Sequence, residues 1–89
     1  MKTESTAKAV RRLKIIEGQV RGLQKMIEDN TYCIDIITQA SAVKEALSGV
    51  EDLLLENHLA THVMYQVKTG DEEKAIAEIL KVYKLKRKK

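Results

Sequence analysis

Residues 32–66 read YCIDIITQASAVKEALSGVEDLLLENHLATHVMYQ, with no proline and one glycine. Apolar residues recur along this stretch at the spacing of one helix face: Ile36, Ile37, Ala40, Val43, Leu47, Val50, Leu54 and Leu55. The pattern predicts one long helix from Tyr32 to about Gln66. The whole chain of 89 residues has no proline, four glycines and only three tyrosines as aromatic residues. This composition favours long helices and predicts an all-α fold.

Three candidate metal ligands lie in this stretch. Cys33, the only cysteine in the chain, precedes His58 by 25 residues, and His62 follows one helical turn later. On a single α-helix, His58 and His62 fall about 20° to either side of Cys33. The same helix separates Cys33 from His58 by roughly 37 Å, so one chain cannot close a site. An antiparallel copy would lay both histidines beside Cys33 of a second protomer, which predicts a symmetric dimer with two equivalent sites.

Two further helices flank this one. The first is predicted over about residues 5–28, because apolar residues alternate at spacings of three and four: Ala9, Leu13, Ile16, Val20, Leu23 and Ile27. Turn residues at 29–31 separate it from the second helix, which Thr69-Gly70-Asp71 ends. A third helix then carries Ala75, Ile76, Ile79, Leu80 and Tyr83 inward. We therefore predict a three-helix protomer, one domain over residues 1–89, with a charged tail at about 84–89 that frays.

The antiparallel pairing makes a further prediction about contacts. Its two-fold axis falls near Leu47, which sets Lys44 opposite Glu51 of the second protomer as a complementary charge pair. Gly18 and Gly22 lie four residues apart in the first helix. Their spacing either marks the close approach of another backbone or reflects two tolerated glycines.

Charge is distributed in blocks along the chain. Residues 1–28 carry seven basic and three acidic side chains, residues 29–66 one and six, and residues 67–89 eight and four. Exposed basic segments repeated in an oligomer would suit double-stranded DNA, although a solvated charged surface is the simpler alternative. On an ideal helix five cations of the first segment form two groups: Lys14, Arg21 and Lys25 on one face, and Lys8 with Arg12 one turn apart.

Several classes of protein are disfavoured. The N-terminus lacks the apolar core of a signal peptide, and no stretch resembles a membrane span, which predicts a soluble cytoplasmic protein. One cysteine excludes an intrachain disulfide. An enzyme is not expected, because no activated nucleophile or acid and base pair accompanies the cysteine and histidines. A metal-buffering helical oligomer that binds no DNA remains open as an alternative.

The ligand types constrain the metal. A lone cysteine or histidine on a helix is more often a packed core residue or an ordinary surface residue. Three donors on one stripe of the helix make metal ligation a realistic alternative. One thiolate and two imidazoles suit three-coordinate copper(I), or zinc with a fourth ligand. Nickel or cobalt in octahedral geometry would need more donors than Cys33, His58 and His62 provide.

The chain resembles a known family. EGQVRG at 17–22, YCIDI at 32–36, QASAV at 39–43 and NHLATH at 57–62 are similar to motifs of the copper-sensitive operon repressor family of bacterial metal and stress sensors. The similarity spans nearly the whole chain. Its founding copper sensors have cysteine where this chain has His62. A histidine at that place also occurs in the nickel and cobalt branch, whose additional N-terminal histidine is absent from Lys2-Thr3-Glu4. Copper is therefore the favoured inducer.

The resemblance implies a mechanism. Family members are dimers of dimers whose metal-free form binds operator DNA and whose inducer, bound between protomers, lowers that affinity. By position, Tyr32 and Glu78 match residues that couple to the ligand histidine, and Arg12 matches an arginine used on DNA. A second family arginine falls at Gly49 here. We predict that the helix face of Lys14, Arg21 and Lys25, with Lys8 beside Arg12, replaces it.

Overall fold

The computed structural model describes residues 3–87, which are helical apart from two short connections. Helix α1 spans Thr3–Glu28, α2 spans Cys33–His58, a π-helical turn spans Leu59–Val63, α3 spans Met64–Lys68 and α4 spans Glu72–Arg87. Because α2, the π turn and α3 follow one another without a gap, the described residues form three helical runs. The predicted all-α, three-helix fold is confirmed.

One predicted element differs from the structure. The second helix is not a single α-helix from Tyr32 to Gln66, because residues 59–63 adopt the wider π-helical turn. The hydroxyl of Thr61 donates a 2.7 Å hydrogen bond to the carbonyl of Asn57, the acceptor that the Thr61 amide would use in an α-helix. The widened turn therefore contains a side-chain hydrogen bond to a backbone carbonyl, and apolar periodicity does not reveal the turn.

The same turn motif closes the first two helical runs. After α1, Asn30 has a φ of 57°, and the amides of Asn30 and Thr31 donate to the carbonyls of Ile27 and Met26. After α3, Gly70 has a φ of 83°, and the amides at positions 70 and 71 donate to the carbonyls at 67 and 66. Both turns are Schellman motifs, in which a left-handed residue lets the chain leave the helix. The predicted helix ends at 29–31 and 69–71 are confirmed.

The described residues form two compact units, the first unit up to Glu56 and the second unit from Asn57 onward. In the first unit, Ile16 of α1 packs with Val43 and Val50 of α2 in a small buried cluster, with Leu23 and Ala46 at its edge. Other members of the predicted apolar faces stay exposed, including Leu13 and Val20 on α1 and Leu47 and Leu54 on α2. A single chain therefore covers only part of these faces.

The second unit contains the π turn, α3 and α4. Ala75 of α4 is its buried apolar residue, and the polar residues Asn57 and Gln66 are also buried. Helix α4 continues to Arg87, whose guanidinium lies 5.7 Å from the Tyr83 ring centroid. Helix α4 thus includes residues 84–87 of the predicted charged tail, and the fraying of this tail stays a prediction. Lys88 and Lys89 lie outside the described residues.

None of the helices in residues 3–87 has the length and apolar character needed to cross a membrane.

Candidate functional site

Two of the predicted metal ligands lie side by side in the second unit. His58 ends α2 and His62 lies within the π turn, and their ring centroids are 5.1 Å apart with the ring planes tilted by 41°. Because the turn is wider than an α-helix, the ideal wheel angle of His62 does not apply here, yet the rings remain neighbours. The pair therefore presents two imidazole groups at one place on the chain.

His58 also contains a polar atom without a partner. Its Nε2 is buried and accepts or donates no hydrogen bond within the described chain. A buried polar atom left in this state costs free energy, so a ligand or hydrogen-bond partner at this ring would be favourable. An imidazole pair with such a nitrogen fits the donor chemistry of a soft or borderline transition metal.

Glu78 of α4 is held by a residue that the sequence did not single out. The side-chain amide of Gln66 on α3 donates a 2.8 Å hydrogen bond to Glu78 Oε1. This hydrogen bond is the main reason that the pKa of Glu78 lies below its ordinary value. Burial raises the pKa of Glu78 against it, while electrostatic interactions with Lys74, His58 and His62 lower the pKa further. Glu78 thus lies within the electrostatic influence of both histidines, although its hydrogen bond comes from Gln66.

Cys33 is an exposed free cysteine at the first position of α2, in the first unit. Across residues 3–87, no three histidine, cysteine, aspartate or glutamate side chains gather closely enough to hold a metal ion. The structure therefore brings His58 and His62 together within one chain. Joining Cys33 to them remains a prediction about an assembly.

Tyr32 immediately precedes α2, where its carbonyl accepts hydrogen bonds from the amides of Asp35 and Ile36. Its side chain is 70% exposed. Tyr32 belongs to the first unit and Glu78 to the second. The predicted coupling of both residues to a ligand histidine therefore stays a prediction.

The predicted DNA-binding cations all lie on α1. Lys8, Lys14 and Lys25 are exposed. Arg21 is exposed as well and forms a 3.2 Å ion pair with Glu17, one turn earlier. Arg12 is half-buried, and its guanidinium donates a 3.4 Å hydrogen bond to the carbonyl of Gly49. Arg12 and Arg21 thus each form a polar contact within the chain, whereas the three lysines are exposed to solvent.

Sequence reasoning missed Thr61 and Gln66. Gln66 follows His62 by four residues, as His62 follows His58, so the three polar side chains repeat at the spacing of a helix face. That repeat was a usable signal for Gln66. The role of Thr61 is harder to foresee, because a threonine hydroxyl bonds to the carbonyl four residues earlier in many ordinary helices.

These features define the class of protein: the chain belongs to the metal-sensitive transcriptional repressor family, whose family model matches residues 5–84. It is 52% identical over 73 residues to the copper-sensing transcriptional repressor CsoR of Bacillus subtilis (strain 168), covering 82% of this chain and 72% of that relative. It is 46% identical over 68 residues to the copper-sensing transcriptional repressor RicR of Mycobacterium tuberculosis (strain ATCC 25618 / H37Rv), covering 76% and 71%.

The fold has a solved counterpart. The crystal structure of the copper-sensing repressor CsoR with Cu(I) from Geobacillus thermodenitrificans NG80-2 matches with a TM-score of 0.90 and 44% sequence identity. The match covers 99% of this chain and 92% of that one. Membership in this family confirms the predictions of a metal-responsive repressor and of a regulator rather than an enzyme.

Proposed function

We propose that this protein is a Cu(I)-responsive transcriptional repressor of the bacterial cytoplasm. Its metal-free form binds double-stranded operator DNA, and Cu(I) binding releases the DNA. The observation that carries the proposal is the pair of imidazole rings at the π turn, 5.1 Å apart, one of which has a buried nitrogen without a partner. The names of the relatives, which are copper-sensing repressors, support Cu(I) over zinc, nickel or cobalt.

The ligand set would be Cys33 of one protomer with His58 and His62 of a second. Thiolate and imidazole are ligands that select Cu(I), and three donors satisfy its low coordination number. The exposed position of Cys33 at the start of α2 leaves its thiol accessible to another chain. When bound, Cu(I) would hold these donors together and so tie two protomers to each other.

Apolar surface supports the assembly. Large apolar side chains stay exposed on both helices of the first unit, including Leu13, Val20, Leu47 and Leu54. Monomeric proteins rarely leave such faces in water, so a homodimer that covers them, pairing into a homotetramer, is the proposed state. The antiparallel dimer also pairs Lys44 with Glu51 of the second protomer. A double-mutant cycle on dimer stability without any coupling would contradict this pairing.

We further propose that Glu78 and Tyr32 couple the metal to DNA affinity. When one ring nitrogen of His58 binds metal, the other can donate its hydrogen to the Glu78 carboxylate, which fixes the ring. Because Glu78 lies on α4, this contact would move α4 relative to the π turn. A contact made in only one state is what a switch between two affinities requires.

DNA binding is assigned to the cations of α1. Lys8, Lys14 and Lys25 are exposed and can reach phosphate groups, and Arg12 and Arg21 lie on the same helix. Each phosphate contact releases counterions, so the affinity for DNA should fall steeply as salt rises. We propose these five residues as the DNA-binding surface.

The test is release of operator DNA followed by fluorescence anisotropy, with Cu(I), Zn(II), Ni(II) and Co(II) titrated in parallel. Wild-type protein should release DNA at about one Cu(I) per protomer. Cys33→Ala should bind DNA normally and ignore Cu(I), whereas the control Ser41→Ala, an exposed change in the same helix, should respond like wild type. Release by another metal at lower concentration would reassign the inducer, and a Cys33→Ala variant that still responds through tight Cu(I) binding would overturn the proposed site.

A further inference from the structure

Gln66 is the unusual polar residue of the second unit. Its side chain is buried, its amide nitrogen donates to Glu78, and its Oε1 is buried without a hydrogen-bond partner. An arrangement that leaves one amide oxygen unpaired costs free energy. A methionine of similar shape would avoid that cost, so packing alone gives no reason for a glutamine here.

The acceptor of this hydrogen bond is the group that the proposed switch needs. Glu78 is the carboxylate that would receive the ring hydrogen of His58. In the structure it accepts a hydrogen bond from Gln66, while Nε2 of His58 is buried without a partner among the described residues. Gln66 therefore already donates to the carboxylate that His58 would need.

We propose that Gln66 is a positioning residue that holds Glu78 away from His58 in the metal-free state and thereby raises the Cu(I) concentration needed for DNA release. This inference rests on the proposed function. A hydrogen bond present only in the metal-free state stabilises that state, and by linkage it weakens metal binding by the same factor. A hydrogen bond to a charged acceptor corresponds to a shift on the order of tenfold in affinity.

The inference predicts opposite effects for the two partners. Gln66→Met removes the donor and keeps the volume, so it should bind Cu(I) about tenfold more tightly than wild type. Glu78→Gln removes the charged acceptor that the ligand histidine would use, so it should bind Cu(I) about tenfold more weakly. A purely structural role for the pair would shift both variants in the same direction.

The experiment measures Cu(I) affinity by competition with a colorimetric Cu(I) chelator, without DNA present. Gln24→Met, the same substitution at an exposed position of α1, is the matched control and should behave like wild type. Melting curves of the metal-free variants report whether each is folded. Gln66→Glu serves as a second variant, because two like charges cannot form the hydrogen bond, and it too should bind Cu(I) more tightly.

A measurement on the unaltered protein complements the variants. The side-chain amide signals of Gln66 in a ¹H–¹⁵N NMR spectrum should move when Cu(I) is added, because Glu78 is released from the amide. Unchanged signals, or unchanged or weaker Cu(I) affinity in folded Gln66→Met, would overturn the role of Gln66. A wild-type protein that binds Cu(I) but keeps its DNA would overturn the proposed function alone, and one that binds no Cu(I) would overturn both.

Discussion

The guanidinium of Arg12 donates a hydrogen bond of 3.4 Å to the backbone carbonyl of Gly49, and so joins α1 to α2. Gly49 is the position at which the resemblance places a second DNA-binding arginine. Ile15, Ile16 and Ala46 line the open groove of about 280 Å³ around this contact. A Cβ added at Gly49 would meet nothing within 4 Å in the part of the chain that the structure describes. Packing within the described chain therefore gives no reason for a glycine rather than a larger residue at position 49.

Gly49→Arg should strengthen binding to operator DNA. The new side chain fits the open space and adds a cation beside Arg12, so one further phosphate contact becomes available. The slope of log affinity against log salt should steepen by about 0.9 for that contact. Fluorescence anisotropy over a series of salt concentrations measures this slope.

Gly49→Ala is the control for this prediction, because it brings the same gain in helix propensity, about 1 kcal/mol, without the charge. It should raise the stability of the protein and leave the salt slope unchanged. An equal slope for the arginine and alanine variants would show that position 49 does not face the DNA.

Thr61→Val should weaken Cu(I) binding by about tenfold, because it removes the hydroxyl that bonds to Asn57 within the π turn and so allows His62 to move relative to His58. The measurement is competition with a Cu(I) chelator. Thr38→Val is the matched control, since Thr38 donates an equivalent 2.8 Å hydrogen bond to the carbonyl of Ile34 within regular α2. If both valine variants keep the wild-type affinity, the π turn does not set the histidine geometry.

Gly70→Ala should lower the free energy of unfolding by about 1 kcal/mol. Gly70 has a φ of 83°, a conformation that strains a residue with a Cβ, although the space around it is open. Gly22→Ala, in the interior of α1, should instead raise the stability by about 1 kcal/mol. Urea unfolding of the metal-free protein measures both.

Gly22→Ala also tests whether Gly18 and Gly22 mark the close approach of another backbone or are simply tolerated glycines. In residues 3–87, nothing lies within 4 Å of a Cβ added at Gly22, and at Gly18 the nearest atom is Nη2 of Arg21, at 3.8 Å. No close backbone approach therefore occurs at these glycines within the described chain. A loss of stability in Gly22→Ala would reveal that another protomer packs there.

The stability of the metal-free protein should depend on pH through Glu78. Its pKa is lower in the folded chain than the ordinary value of 4.5, so its contribution is fully present above that value and is lost as pH falls through the folded pKa. Glu78→Gln should flatten this loss in urea unfolding measured from about pH 7 down to about pH 3. Gln66→Met should flatten it as well, because the Gln66 hydrogen bond is the largest cause of the shift. If wild type, Glu78→Gln and Gln66→Met lose stability identically as pH falls, Glu78 is not the source of the pH dependence.

The local signals of the sequence sufficed for the helices and their ends. Apolar spacing predicted α1 and the third run, and the turn residues at Asn30 and Gly70 predicted where the first two runs end. Helix formation and helix ends both depend on interactions within a few residues of one another, so the order and type of neighbouring residues are enough to predict them. The residue types of the candidate ligands, Cys33, His58 and His62, were likewise visible without a structure.

Tertiary structure decided how the candidate site is arranged. The π turn at residues 59–63 interrupts a helix that the apolar spacing predicted to be regular, and within it the Thr61 hydroxyl donates to the Asn57 carbonyl. The partner of Glu78 depends on the packing of α3 against α4, which brings Gln66 to it across 12 positions of the chain. A sequence pattern indicates which groups share a helix face. A hydrogen bond depends instead on which of several nearby groups lies within bonding distance of the acceptor, and only the folded chain determines those distances.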